Sequence, residues 1–211
     1  MENISVKLPD GSIKQLPKGS TGLDLALSIG PGLAKDAVAI EINNIQKDLS
    51  DTLEDNASVS IITIKSNEGL EIMRHTLTAQ VLASAIKNLY PDAKLAIGPT
   101  IEDGFYYDFL PTKPVSIDDL PLIEKEMNSI LADKSSINKT YHTKKEVISL
   151  FNDQEETFKA EIITDSEQNE NFQIYTQELS GFIDLCRGPH LPNLDFIGAV
   201  SYTHLRAHET S

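Results

Sequence analysis

One cysteine in 211 residues leaves no partner for an intramolecular disulfide, which favours a reducing compartment. No stretch approaches the ~20 consecutive apolar residues of a membrane span. The opening Met-Glu-Asn-Ile-Ser has no basic region followed by an apolar core, so no secretory signal is read there. Basic residues are scarce beside acidic ones, 18 against 32, giving a formal charge of −14. Affinity for nucleic acid comes largely from neutralising phosphates, so this balance excludes an independent nucleic-acid binder. It leaves room for local contact with RNA where other domains do most of the gripping. Internal repeats and low-complexity segments are also lacking. What is present, 40% hydrophobic and 24% charged residues, is the composition of a globular protein long enough for two small domains or one large one. The expected setting is cytoplasmic, with no membrane partner.

Patterning predicts an α+β chain. Ile4, Val6 and Leu8 alternate with polar residues, Pro9-Asp10-Gly11 makes a turn, and Ile13 opens a second strand. Ser20 or Thr21 caps a helix carrying Leu23, Leu25, Ala26 and Leu27, which Gly30-Pro31-Gly32 ends. Val38, Ile40 and Ile42, then Val59, Ile61 and Ile64, alternate again. This order predicts a β-grasp (ubiquitin-like) sheet with a helix across one face. The polar run Lys65 to Gly69 marks a domain boundary. A long helix follows from about Leu70 until Pro91 stops it. Gly104 to Phe109 reads as an aromatic strand. Ser116 and Asp119 resemble a helix cap, and the helix they open places Leu122, Ile123, Met127, Ile130 and Leu131 on one face. Lys144 to Phe151 reads as a helix, and Phe158–Thr164, Phe172–Gln177 and Phe182–Leu185 as strands.

The cysteine lies in "FIDLCRGPHLPN", four residues before His190. Alone, the Cys186–His190 pair reads equally as a packed turn, as part of a metal site that needs further ligands, or as a thiol with its base. His75 shares a helical face with Ala79, Leu82, Ile86 and Leu89, and on pattern alone is a histidine at the polar edge of a core face.

The segments "RHTLTAQVLASAIKNLYPDAKLAIGPTIEDGFYYDF", "IEKEM", "FKAEII" and "FIDLCRGPHLPN" occur in this order. Over residues 1 to about 199 the chain thereby resembles the bacterial threonyl-tRNA synthetases. The resemblance implies a TGS domain over 1–64 and an editing domain over 65–199, C-terminally incomplete, with a long helix packed on an antiparallel sheet. Residues 200–211 resemble translated sequencing-adapter read-through, so His204 and His208 carry no weight despite their i, i+4 spacing. The implied activity is hydrolysis of serine from tRNA(Thr). Serine lacks only a methyl of threonine, and a methyl is worth only ~1–3 kcal/mol of discrimination, so a second, hydrolytic site is the general remedy.

The catalytic residues implied are His75, Lys159, Cys186, His190 and Asp184; Gln80, Tyr107, Gly98 and Arg187 would bind substrate. Within this set His75 and Lys159 would activate water or stabilise charge, while Cys186 and His190 would shape the pocket. The implied partner is the tRNA(Thr) 3′ end carrying serine. ATP, Mg and Zn, and a homodimer, are expected only of a full-length enzyme with an aminoacylation core, whose motifs this sequence lacks. Two rivals remain open: a non-catalytic RNA- or protein-binding module, and a free-standing trans-editing deacylase.

One departure stands out. The family carries His-x3-His on the long helix, but Ala79 follows His75 by four, and Gln80 matches the second histidine after one extra residue. An ideal helix turns Gln80 ~140° away from His75. Either a one-residue π-bulge restores the alignment, or His75 precedes the first helical turn. Glutamine is a poor zinc ligand beside imidazole or thiolate, so the expected hydrolysis uses no metal.

Overall fold

The computed structural model describes residues 2–96, 100–101, 104–105 and 107–198. Two compact units form: Met1–Met73 with Gly188–Pro192, and Arg74–Arg187 with the residues from Asn193 on. Among the described residues no helix is long and apolar enough to cross a membrane.

The first unit is a β-grasp. Strands β1 (Asn3–Lys7) and β2 (Ile13–Pro17) form an antiparallel hairpin. Its turn is closed by Asp10, whose carboxylate accepts from the Ser12 N–H at 2.9 Å and the Ser12 hydroxyl at 2.6 Å. Thr21 caps α1 (Gly22–Ile29) through a reciprocal box with Asp24. Gly30 ends that helix, but Pro31, at a first helical position where its missing N–H costs nothing, opens α2 (Pro31–Asp36). Strand β3 (Ala37–Ile42) is flanked by β4 (Ile45–Asp48) and β5 (Val59–Thr63), both antiparallel to it. Asn43 and Asn44 make the β3–β4 turn with φ of 50° and 65°, the left-handed region that Asn tolerates. A parallel bridge between Lys7 and Ser58 joins the hairpin to the second sheet. Ile4, Val6, Leu25, Ala26, Ile40 and Val59 fill the core between sheet and α1.

Lys65 and Ser66 of the polar run expected to mark the boundary form a turn, and its last three residues already belong to α3 (Asn67–Thr76), which starts before the expected Leu70. Gly69 serves packing there. A Cβ on it would lie 2.0 Å from the Thr63 carbonyl oxygen.

In the second unit the last turn of α3 runs into a π-helical turn, Leu77–Leu82, and then α4 (Ala83–Leu89). The extra residue is thus absorbed by i→i+5 bonding, and His75 lies inside the helix, not ahead of it. The aromatic segment does not form the single expected strand. The short pairs β6 (Lys94–Leu95) with β9 (Phe109–Leu110) and β7 (Thr100–Ile101) with β8 (Gly104–Phe105) divide it. Aromatic content favours extended backbone without saying which partner each residue takes.

The Ser116–Asp119 box is present and opens a 3₁₀ turn that continues as α5 (Leu120–Ala132). Ile123, Met127, Ile130 and Leu131 are buried on its inner face, against α4 and the π-turn. Leu122, expected with them, faces outward at 49% exposure.

An antiparallel sheet of order β10 (Ile137–His142), β11 (Phe172–Gln177), β12 (Ile183–Leu185) follows. Its apolar face is covered by α6 (Lys144–Asp153) and α7 (Thr157–Asp165), through Val147, Phe151, Ala160, Ile163, Phe172 and Ile174. Helix α7 overturns the strand expected at Phe158–Thr164. Glu156, Lys159, Ala160 and Ile163 are buried while Glu161 and Ile162 are exposed. That is the i, i+3, i+4, i+7 period of a helix, not alternation. The long helix therefore lies mainly along α5 and reaches the sheet at Gln80 and Gln177, while α6 and α7 form the layer over the sheet.

Candidate functional site

The hairpin β11–β12 delivers two of the expected residues. Asp184 stands opposite Tyr175 in the ladder, with its side chain 5% exposed. Cys186 follows β12 and continues the pairing, its N–H donating to the Gln173 carbonyl at 3.3 Å. The last turn of α3 brings His75 to this edge, with Nε2 2.9 Å from Cys186 Sγ. From α7, Lys159 Nζ donates to Asp184 Oδ1 at 2.5 Å, and its side chain is as deeply buried as its partner's, at 5%. The pair is therefore an interior ion pair. The surface pairing that a charged Lys and Asp most often make does not apply.

Burial pushes the Asp184 carboxyl up from its ordinary value; the Lys159 ammonium, the Leu185 N–H and His75 pull it down, and burial prevails. Burial likewise holds the half-buried Tyr107 phenol far above its ordinary range, with Asp184, Glu156 and Cys186 adding repulsion. Tyr107 thus stays a neutral hydrogen-bonding group beside the same carboxylate. Lys159 also stands over the Phe151 ring, 5.4 Å from its centroid. It lines a cleft of about 330 Å³ with Lys87, Pro91, Leu95, Glu156 and Phe182.

His75, Cys186, Lys159, Asp184 and Tyr107 therefore belong to one neighbourhood of the second unit. Gln80 is placed differently from the expected substrate contact. It is fully buried, and its main-chain and side-chain oxygens both face the Gln177 amide, at 2.8 and 3.4 Å. Its own Nε2 makes no hydrogen bond among the described residues. His190 is buried in the first unit, where its N–H donates to Asp48 Oδ1 at 2.9 Å. Arg187 is exposed. Gly98 and residues 200–211 lie outside the described residues.

Sequence reasoning missed Gln177 and Glu156. Glu156 anchors the N-terminus of α7, pairing with Lys87 Nζ at 2.7 Å and accepting from the Leu95 N–H at 3.2 Å. A polar residue in a strand or at a helix entry carries no mark of burial in its own identity, so neither had a signal to find.

Chemically, an imidazole in contact with a thiol, beside a carboxylate–ammonium pair and a neutral phenol, can accept a proton from water. The same neighbourhood offers hydrogen-bond donors for a developing oxyanion.

Comparison with known proteins gives a consistent picture. Residues 4–63 match the TGS domain family, and residues 173–209 match the threonyl and alanyl tRNA synthetase second additional domain. Threonine–tRNA ligases of Francisella tularensis subsp. novicida (strain U112) and of subsp. tularensis (strain SCHU S4 / Schu 4) are each 43% identical over 202 residues, 96% of this chain. The same identity and coverage hold for the threonine–tRNA ligase of subsp. holarctica (strain LVS). The chain spans 31% of the length of these relatives.

Proposed function

From a chain that carries the TGS and second additional domains of the threonyl-tRNA synthetase N-terminal region, we propose that the second unit hydrolyses seryl-tRNA(Thr) to serine and free tRNA. The observation that carries this reading is the contact of His75 Nε2 with Cys186 Sγ at 2.9 Å, beside the buried Lys159–Asp184 pair. His75 acts as proton acceptor. Water attacks the ester carbonyl carbon as His75 takes its proton, and a C–O bond forms. The tetrahedral oxyanion collapses, the bond to the ribose oxygen of the terminal adenosine breaks, and that oxygen receives the proton. Lys159 supplies the positive charge that favours the oxyanion, and Asp184 fixes the lysine. Cys186 orients the imidazole and, with the Tyr107 phenol, walls the pocket.

No metal takes part in this scheme. Glutamine at Gln80, a poor ligand beside imidazole or thiolate, stands where the relatives' second helix histidine would, and the scheme assigns His75 to water and not to an ion. The ATP-dependent ligase activity for which the longer relatives are named is proposed only for a polypeptide that also holds an aminoacylation core, with its ATP, Mg and Zn.

The test is single-turnover hydrolysis of seryl-tRNA(Thr) by the chain and by its His75→Ala variant. Loss of a general base lowers the rate by about 10²–10⁴-fold. An active wild type with an equally active variant would remove His75 from the reaction. A folded but inactive wild type would favour a binding module.

A further inference from the structure

We infer that Gln177 is a positioning residue for His75: by clamping the π-turn at Gln80 it fixes the rotation of the helix segment that presents the imidazole to Cys186. The inference rests on the reading of His75 as proton acceptor and goes one step further, to what holds it there.

A π-turn is a rare, locally strained feature that persists only where its surroundings maintain it. Its register also has leverage. Each residue turns a helix by ~100°, so relaxing one extra residue into regular α geometry rotates everything on the free side by about that angle. Here the C-terminal side is fixed. Val81, Ala83, Ala85 and Ile86 are at most 1% exposed, and α4 packs along α5. A change of register is shared with the segment before the turn, whose Ile72, Thr76 and Leu77 are themselves at most 4% exposed, and any part of it taken up there turns His75.

Gln177 is built to hold that register. Its Nε2 donates to the Gln80 main-chain oxygen at 2.8 Å and lies 3.4 Å from Gln80 Oε1. Both residues are fully buried, so water cannot substitute for the lost donor. The Gln177 side chain is itself held, its Oε1 accepting from the Ser180 hydroxyl at 3.3 Å. Its backbone is fixed by the Phe182 carbonyl and the Gly181 N–H, each at 2.9 Å. Gln177 is the last residue of β11, and the strand that follows carries Asp184 and leads to Cys186. One carboxamide ties the turn governing His75 to the hairpin bearing its thiol partner.

The experiment uses the full chain labelled with ¹⁵N-histidine, with Gln177→Met and Gln177→Glu beside the wild type. Ring resonances of His75 are read by NMR and seryl-tRNA(Thr) hydrolysis by steady-state kinetics. His142 is the internal control, since it pairs with Phe172 at the far end of the β10–β11 ladder. Gln177→Met is expected to shift the His75 ring signals, leave those of His142 in place, and lower kcat at least tenfold with KM within twofold. Unmoved His75 signals in the folded variant overturn the inference, as does a rise in KM at constant kcat. A wild type that does not hydrolyse the substrate defeats the functional reading, while the His75 signals still decide this one. Gln177→Glu keeps shape and the acceptor for Ser180, and is read the same way if the Met variant does not fold. Failure of both to fold also overturns the inference, because Gln177 then serves stability and not position.

Discussion

Replacing Lys159 by methionine removes the ammonium that faces Asp184 and leaves most of the aliphatic stem in place. Both side chains are 5% exposed, so the carboxylate left behind is an uncompensated interior charge. Breaking such a pair from one side costs about 3–5 kcal/mol, a large share of the ~5–15 kcal/mol that holds a domain folded. The lost contact with the Phe151 ring adds about 0.5–2 kcal/mol that does not depend on the carboxyl.

The two parts separate by pH. Burial already raises Asp184 above its ordinary 3.8, and losing the ammonium that pulled it down raises it further. The folded state then binds the proton more tightly than the unfolded one. Stability therefore falls as pH rises from 3.8 through the folded value, and the full penalty stands above it. Thermal unfolding followed by far-UV circular dichroism at pH 5 and pH 8 is expected to show the larger loss at pH 8, with a melting shift on the order of 10–20 °C. The double variant Lys159→Met/Asp184→Leu, which buries no charge, should recover most of that loss. An equal penalty at both pH values, or a double variant no better than the single, would refute the reasoning.

Other outcomes follow from the same geometry. Gly69→Ala places a methyl 2.0 Å from the Thr63 carbonyl oxygen, and is expected to destabilise the junction of β5 and α3 by about 1–3 kcal/mol, read as faster proteolysis near residue 66. Proteolysis no faster than in the wild type would show that the junction relaxes freely. Treatment with EDTA is expected to leave seryl-tRNA(Thr) hydrolysis unchanged, with far less than one zinc per purified chain; stoichiometric zinc would refute the metal-free mechanism.

Local signals in the sequence were reliable where one residue type has one physical reason to be there. The Asp10-Gly11 turn, the Thr21 cap with Asp24 and the Ser116–Asp119 box all stand where side-chain chemistry puts them. Errors arose where two periods compete over a short span. In "FKAEII" apolar residues are dense enough to read as a strand, and only the burial of Lys159 beside Ala160 and Ile163 reveals the helix. The early start of α3 at Asn67 escaped notice for a different reason. Glycine signals a loop by default, and nothing local says that this one exists to admit a carbonyl from β5.

The candidate site was legible only through the resemblance, because its members come from α3, α7 and the β11–β12 hairpin and share no local pattern. The insertion before Gln80 is the exception, and its placement bears on how such a site tolerates change. A residue added to a regular helix would turn His75 by ~100° and break its contact with Cys186. The π-turn confines the added residue to Leu77–Leu82, so α3 keeps His75 against the thiol while α4 keeps its face on α5. Confinement has a chemical requirement, since the widened turn exposes polar groups in a dry interior. Gln177 meets part of it by donating to the Gln80 main-chain oxygen, while Gln80 Nε2 makes no hydrogen bond among the described residues. Under the proposed mechanism the glutamine that replaces a second imidazole on this helix is no base, so the helix offers His75 as its proton acceptor.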